Sequence, residues 1–94
     1  MSETSYKQLT QGISSNLAQL RQTQADVMKG FGDLGKAAMT GGALDAKTKE
    51  LIALAIGVAT HCEGCIGFHS KALAQMGASL EEVHEALSVA IYMG

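Results

Sequence analysis

The sequence predicts an all-α domain. Its 94 residues contain no proline and no tryptophan, and only 4% are aromatic, a composition that suits helices packed through Leu, Ile, Ala and Met rather than a β-sandwich. Apolar residues recur at spacings of three and four, which is the period of one helix face. Residues that cap helices precede several of these segments, and no strand pattern is convincing. The length predicts a single domain over residues 1–94.

The charge and the hydropathy pattern limit the possible partners. The formal net charge is −2, which argues against a nucleic-acid or anionic-membrane partner, since either would need a basic patch. The start of the chain lacks the pattern of a signal peptide, and the longest apolar run, LIALAIGVA, is about half a membrane span. We therefore expect a cytoplasmic protein. A small core short of aromatics also favours a homo-oligomer, because other copies can cover leftover apolar surface.

The first predicted helix covers residues 5–29, where apolar positions lie mostly three or four apart. Polar Gln24 interrupts this apolar face, and Gly12 weakens the helix by about 1 kcal/mol relative to alanine. We expect the helix to form one side of an intramolecular bundle; an arm that packs on a second subunit is the alternative. A short helix over residues 33–39 should follow and end at the Gly41-Gly42 pair.

The third and fourth predicted helices carry the candidate chemistry. Asp45 is the expected N-cap of the third helix, which is apolar on all sides from Leu51 onward and is therefore predicted to be central. That helix should break within residues 60–64. The fourth helix should then cover residues 65–75 and close at Gly77.

The last predicted helix begins at a capping box. In the segment SLEE, Ser79 is the N-cap and Glu82 stands three residues later, the spacing at which the two groups cap each other's backbone N–H. The helix is expected over residues 80–92. Its inward-facing residues are expected to be Val83, Leu87, Ala90 and Ile91.

Both cysteines lie in the segment ATHCEGCIGFHSKA. Cys62 and Cys65 are three residues apart, which puts their Cα atoms about 5–6 Å apart in helical or turn geometry, within disulfide range. The start of a helix stabilises a thiolate, which favours Cys62 as the nucleophile. His69 lies four residues after Cys65 on the same helix face and can take its proton, which favours Cys65 instead. Without an export signal, such a pair is more often redox-active or metal-binding than a structural disulfide.

Glu50 can join this group if the chain reverses near Thr60. The glutamate would then lie nine or ten residues before the bend, and His69 about five beyond it. The axial offset would be roughly 6–7 Å, which two long side chains or a water molecule can bridge. A carboxylate in that place could orient the imidazole and move its proton.

The spacing of these residues resembles a known active site. Glu50, eleven residues, Cys62-Glu63-Gly64-Cys65, three residues and His69 are similar to the signature of the alkylhydroperoxidase D-like family, within the carboxymuconolactone decarboxylase superfamily. The flanking GGALDAKTKELIALAIGVATHCEGC, FHSKALAQMGASLEEVHEAL and AIYMG also resemble that domain. The similarity covers residues 41–94 well and the first helix loosely. Many relatives continue past such an ending with one more helix, so a final helix can be missing from this domain.

The resemblance implies an oligomeric (trimeric or hexameric) helical protein that reduces organic hydroperoxides or exchanges disulfides. Cys65 would be the peroxidatic cysteine, Cys62 the resolving cysteine, His69 the base and Glu50 the proton relay. A dithiol reductant, such as a lipoyl group or a thioredoxin-like protein, would reset the pair, and no metal, haem or other cofactor is implied. The decarboxylase branch lacks paired cysteines, so lactone decarboxylation is not expected.

Two other functions stay open at this point. The better-studied peroxidases of the family have a further histidine between the cysteines, where this chain has Glu63 and Gly64. A non-catalytic, redox-sensing oligomer is therefore the alternative. A zinc-binding module is a third hypothesis, with His61, Cys62, Cys65 and His69 as ligands, although structural sites usually take ligands from two separated pairs. If there is no zinc site, we expect His61 to be a surface or helix-end residue.

Overall fold

A computed structural model describes residues 5–94 and confirms the all-α class. Five helices account for the regular structure of these residues, and no strand occurs among them. The helices are α1 Tyr6–Thr23, α2 Ala25–Met39, α3 Ala46–Ala59, α4 Glu63–Gln75 and α5 Leu80–Met93.

The N-terminal half differs from the prediction. The helix expected over residues 5–29 ends at Thr23, and Gln24 takes a non-helical conformation at φ −132° and ψ 51°. The break therefore falls at the polar residue that interrupts the apolar face. The α2 helix then continues through Gly30 and Gly32, which lie between the two helices predicted here. Continuous helix is tolerated there because Val27, Phe31 and Leu34 keep helical spacing across those glycines.

The α3 helix is central, as its composition predicts. It packs against α4 on one side and α5 on another, while α1 packs on α4 and α2 only touches α1 and α3. Asp45 caps α3 as expected, since its carboxylate accepts a hydrogen bond of 2.7 Å from the Thr48 N–H. Leu54 of α3 and Leu73 of α4 are nearly inaccessible to solvent, so the core lies between these two helices.

The predictions for α4 and α5 hold in their main features. The α4 helix begins at Glu63, two residues earlier than predicted, and ends as expected before Gly77. The capping box of Ser79 and Glu82 is formed in both directions. Ala90 is buried as predicted, but the prediction that Ile91 faces inward is wrong for the single chain, where it is 80% exposed. Ala90, the residue before Ile91, packs in the core.

Apolar surface is concentrated on three helices. The exposed large apolar side chains include Val27, Phe31 and Leu34 of α2, Ile52 and Ile56 of α3, and Val89, Ile91, Tyr92 and Met93 of α5. No buried residue occurs in α2, whose apolar face therefore has no covering partner within the single chain. Among residues 5–94, every helix is too short or too polar to cross a membrane.

An ion pair ties the start of α3 to the start of α5. The Lys47 ammonium lies 2.6 Å from a Glu82 carboxylate oxygen. The hydrogen bond from Lys47, with further ones from Ser79, holds the pKa of Glu82 below its ordinary value. The same contact raises the pKa of Lys47.

This ion pair predicts acid-sensitive stability. Because the folded pKa of Glu82 is lowered, its contribution is present above the unfolded pKa and is lost as pH falls through the folded value. We expect Glu82→Gln to lower the melting temperature at neutral pH and to have a smaller effect in acid. Melting curves between pH 3 and 7 measure this. The control is Glu81→Gln, on the adjacent exposed position; an equal, pH-dependent loss in both variants would contradict the assignment to Glu82.

Candidate functional site

The site is built at the turn between α3 and α4. Thr60 ends α3, and His61 then takes a left-handed conformation with φ 57°. The His61 N–H donates to the Val58 carbonyl at 3.1 Å, and the Cys62 N–H donates to the Gly57 carbonyl at 2.9 Å. These two bonds form a Schellman motif, which satisfies the last carbonyls of the helix. The motif reverses the chain within the predicted residues 60–64.

Cys62 is also the N-cap of α4. Its Sγ accepts a hydrogen bond of 3.2 Å from the Cys65 N–H. Cys62 and Cys65 form a disulfide, with their Cα atoms 5.2 Å apart, within the range that the spacing predicts. Both cysteines are partly exposed. The pair therefore lies at a helix N-terminus, where free N–H groups and the helix dipole favour a thiolate.

The disulfide lies directly against α3 because residue 57 is glycine. A Cβ atom at Gly57 would come within 2.9 Å of the Cys65 Cβ, which is closer than such atoms pack. The same residue supplies the carbonyl that anchors the Cys62 N–H. Gly57 therefore sets the distance of both cysteines from α3. Sequence reasoning missed this residue, and its only signal was a lone glycine within an otherwise apolar helix.

Glu50 and His69 meet across the α3–α4 contact. The Glu50 Oε2 and His69 Nδ1 atoms are 2.6 Å apart, so the contact is direct, shorter than the water-bridged separation that the sequence allows. Glu50 is 9% exposed. A buried carboxylate is stable only with a partner, which here is the imidazole. When Nδ1–H donates to the carboxylate, Nε2 is left as the acceptor nitrogen of the ring.

The two positions between the cysteines have different surroundings. Glu63 is exposed in the first turn of α4. A Cβ at Gly64 would lie 2.9 Å from the Cδ1 of Ile13, because α1 packs on this side of α4. A side chain at position 64 would therefore displace the end of the Ile13 side chain. This contact was not predicted, since it joins residues far apart in the sequence.

The structure brings the four predicted catalytic residues together in one local unit. Cys62 and Cys65 are bonded, Cys65 and His69 lie one turn apart on α4, and Glu50 reaches His69 from α3. Their individual roles stay predictions. His61 lies outside the unit as an exposed turn residue. Within residues 5–94, no group of three or more His, Cys, Asp or Glu side chains is arranged to hold a metal ion.

A family model for carboxymuconolactone decarboxylases matches residues 25–94. The chain is 41% identical over 68 residues to an uncharacterized protein of Haemophilus influenzae, covering 72% of this chain and 60% of that one. It is 37% identical over 82 residues to an uncharacterized protein of Cupriavidus necator, covering 87% and 73%. It is 38% identical over 80 residues to uncharacterized protein 4 in the cox locus of Paracoccus denitrificans, covering 85% and 72%. The chain thus spans less than two thirds of the Haemophilus protein.

The fold is shared with a solved relative. The crystal structure of an apo carboxymuconolactone decarboxylase family protein from Legionella pneumophila superposes with a TM-score of 0.93 and is 48% identical. The match covers 95% of this chain and 80% of that one. Sequence and fold agree with the resemblance found in the Glu50–CxxC–His69 spacing. The chain therefore belongs to the carboxymuconolactone decarboxylase family.

Proposed function

We propose that this protein is a thiol-dependent peroxidase and disulfide oxidoreductase that acts through Cys62 and Cys65. The observation that carries the proposal is the direct bond between the buried Glu50 and His69, one turn from a disulfide-bonded cysteine pair. A buried carboxylate–imidazole pair beside a disulfide supplies a base to a thiol. Membership of the family supports redox chemistry for a chain with this pair.

The proposed reaction begins at Cys65. Its thiolate attacks the terminal oxygen of a hydroperoxide, the O–O bond breaks, and the alcohol leaves with the proton that His69 took from the thiol. The Cys65 sulfenic acid is then attacked by Cys62, which forms the disulfide and releases water. A dithiol, such as a lipoyl group or a thioredoxin-like protein, reduces the disulfide by exchange and is itself oxidised. We place this cycle in the cytoplasm, where such dithiols are available.

Glu50 acts on the reaction through His69. Its carboxylate fixes which ring nitrogen carries the hydrogen, and it stabilises the imidazolium that forms when the thiol gives up its proton. Cys65 is the proposed nucleophile because its position one turn before His69 gives it a base. The Sγ of Cys62 accepts the Cys65 N–H, which stabilises negative charge on the resolving sulfur when Cys65 is attacked.

A redox sensor is the second candidate function. It is favoured by the residues between the cysteines, Glu63 and Gly64, which supply no histidine to relay a proton; the Ile13 side chain packs against Gly64 instead. Such a protein would form the Cys62–Cys65 disulfide with peroxide but would turn over slowly. The two functions differ in the rate of repeated cycles, and they share the same oxidised product.

We predict that Cys65→Ser abolishes peroxide consumption. With a dithiol donor present, the unchanged protein should consume peroxide over many cycles, whereas Cys62→Ser should stop after one equivalent and hold a sulfenic acid on Cys65. Peroxide assays and mass spectrometry of the trapped sulfenic acid measure this. Multiple turnovers by Cys65→Ser would refute the assignment. Disulfide formation without repeated turnover in the unchanged protein would favour the sensor.

Glu50→Gln should lower the turnover number about 10- to 100-fold, the range seen when the carboxylate partner of a metal-ligating histidine is removed. The amide keeps the shape of the side chain but lacks the charge that stabilises the imidazolium. Steady-state peroxide assays measure the effect. The control is Glu63→Gln, the same change at an exposed carboxylate next to Cys62, which should react at nearly the unchanged rate. Equal losses in both variants would point to general electrostatics and would contradict a role through His69.

We further propose that a second copy of the chain covers the apolar face of α2. The isolated chain exposes 6927 Å², against about 5,200 Å² for a compact monomer of this mass. The difference is about twice the area that each partner contributes to a standard protein interface. Trimeric or hexameric assembly would bury this face together with the exposed residues of α3 and α5.

Phe31→Asp should therefore shift the protein toward the monomer. Phe31 is 68% exposed in the single chain, so a monomer has no packing to lose at this position, whereas an interface would have to bury a carboxylate. Light scattering at several protein concentrations measures the mass. The control is Lys36→Gln, on the polar side of α2, which should keep the mass unchanged. A monomeric unchanged protein, or an oligomer unaffected by Phe31→Asp, would contradict this interface.

A further inference from the structure

A cleft lies between α1 and α4. It has a volume of about 400 Å³, and its walls include Tyr6, Lys7 and Thr10 of α1 and Gly67 and Lys71 of α4. Sites for small molecules usually have volumes of about 300–1,000 Å³. The cleft therefore has the size of a site for a small organic molecule.

The cleft lies beside a close approach of the two helices. A Cβ atom at Gly67 would come within 2.7 Å of the Thr10 Cγ2 atom and within 3.5 Å of a Tyr6 ring carbon. Thr10 is buried in this contact, at 6% exposed. The contact holds α1 on α4 and so fixes the helix positions from which the lining side chains extend.

The charged side chains that line the cleft are all positive. Among residues 5–94, the lining includes Lys7 and Lys71 but no aspartate or glutamate. The ion pairs within that range involve Lys29, Lys47 and His69, so neither lysine of the cleft has a carboxylate at ion-pair distance there. In a chain with a net charge of −2, this is a local concentration of positive charge. An anion in the cleft would offset the repulsion between the two ammoniums.

The neutral polar groups of the cleft also suit an anion. The hydroxyls of Thr10 and Ser70 donate to carbonyls of their own helices. The groups that can donate into the cleft are therefore the two ammoniums, the Gln11 amide and the Tyr6 phenol. Carboxylate and phosphate oxygens are strong acceptors for donors of this kind, and strongest for the ammoniums.

Apolar surface accompanies these donors. The Tyr6 ring is half exposed in the single chain, and the lysine side chains are hydrocarbon up to the ammonium. A flat apolar body can stack on the ring while its acidic group meets the ammoniums. An inorganic ion would leave this apolar surface unused, so the lining favours an organic anion.

The cleft is separate from the cysteine site. Gly67 is two residues before His69, and two residues turn a helix by about 200°. Gly67 accordingly contacts α1, whereas His69 bonds to Glu50 of α3. The cleft therefore lies across α4 from the carboxylate–imidazole pair.

We propose that the cleft between α1 and α4 binds a small organic anion, namely a carboxylate or phosphate ester with an aromatic body. Lys7 and Lys71 bind the anionic group, and the Tyr6 ring stacks on the body. This binding site goes beyond the redox chemistry proposed for Cys62 and Cys65 and does not depend on it.

Benzoate and phenyl phosphate are the probes that test the ligand class. Each is titrated into the isotope-labelled protein in its disulfide form, and the NMR shifts of the Thr10, Gly67 and Lys71 amides give the Kd. We expect a Kd of about 1 mM for ligands of this size. Inorganic phosphate lacks the ring and benzyl alcohol lacks the charge, so each should bind about 10-fold more weakly. Equal binding of either one would overturn the proposed ligand class.

Lys71→Gln tests the positive charge of the cleft. Lys71 is exposed, so the variant should fold, and it should weaken benzoate binding about 3- to 5-fold. The control is Lys36→Gln, which removes the same charge from α2 and should keep the Kd. Equal weakening in both variants, or no shift of the cleft amides with either probe, would overturn the site. Binding is measured without peroxide or reductant, so a lack of peroxidase activity would leave this result unchanged.

Discussion

The reversal of the chain between α3 and α4 positions both the helices and the candidate site. One residue, Cys62, both completes the C-terminal motif of α3 through its N–H and caps α4 through its sulfur. The two helices are therefore joined with no free linker between them. This turn places the disulfide at a helix N-terminus and brings α4 back along α3, so that the catalytic residues predicted from distant parts of the sequence can meet.

The bond between Glu50 and His69 follows from that reversal. A carboxylate that is 9% exposed would be unfavourable in an apolar helix without a partner, and the imidazole supplies one at 2.6 Å. The pair thus stabilises the α3–α4 contact and holds the ring in one tautomer. The contact that satisfies the buried charge also orients the imidazole that we propose as the base.

The close approaches of α4 explain how this chain departs from the resemblance. Gly57 lets Cys65 lie against α3, and Gly64 lets Ile13 of α1 lie against the opposite side. The Ile13 side chain of α1 therefore packs where a side chain between the cysteines would begin. His61, the residue before Cys62, lies in the exposed turn.

Several features could be predicted from the sequence: the helical class, the capping residues Asp45 and Ser79, the position of the chain reversal and the four residues of the candidate site. These are local features, set by periodicity, by capping chemistry and by spacings of a few residues. Four others emerged from the packing of the helices: the break at Gln24, the exposure of Ile91, the direct Glu50–His69 bond and the contact of Ile13 with Gly64. Those outcomes depend on which helices touch and at what depth, and this is a property of packing between distant segments that a local pattern does not contain.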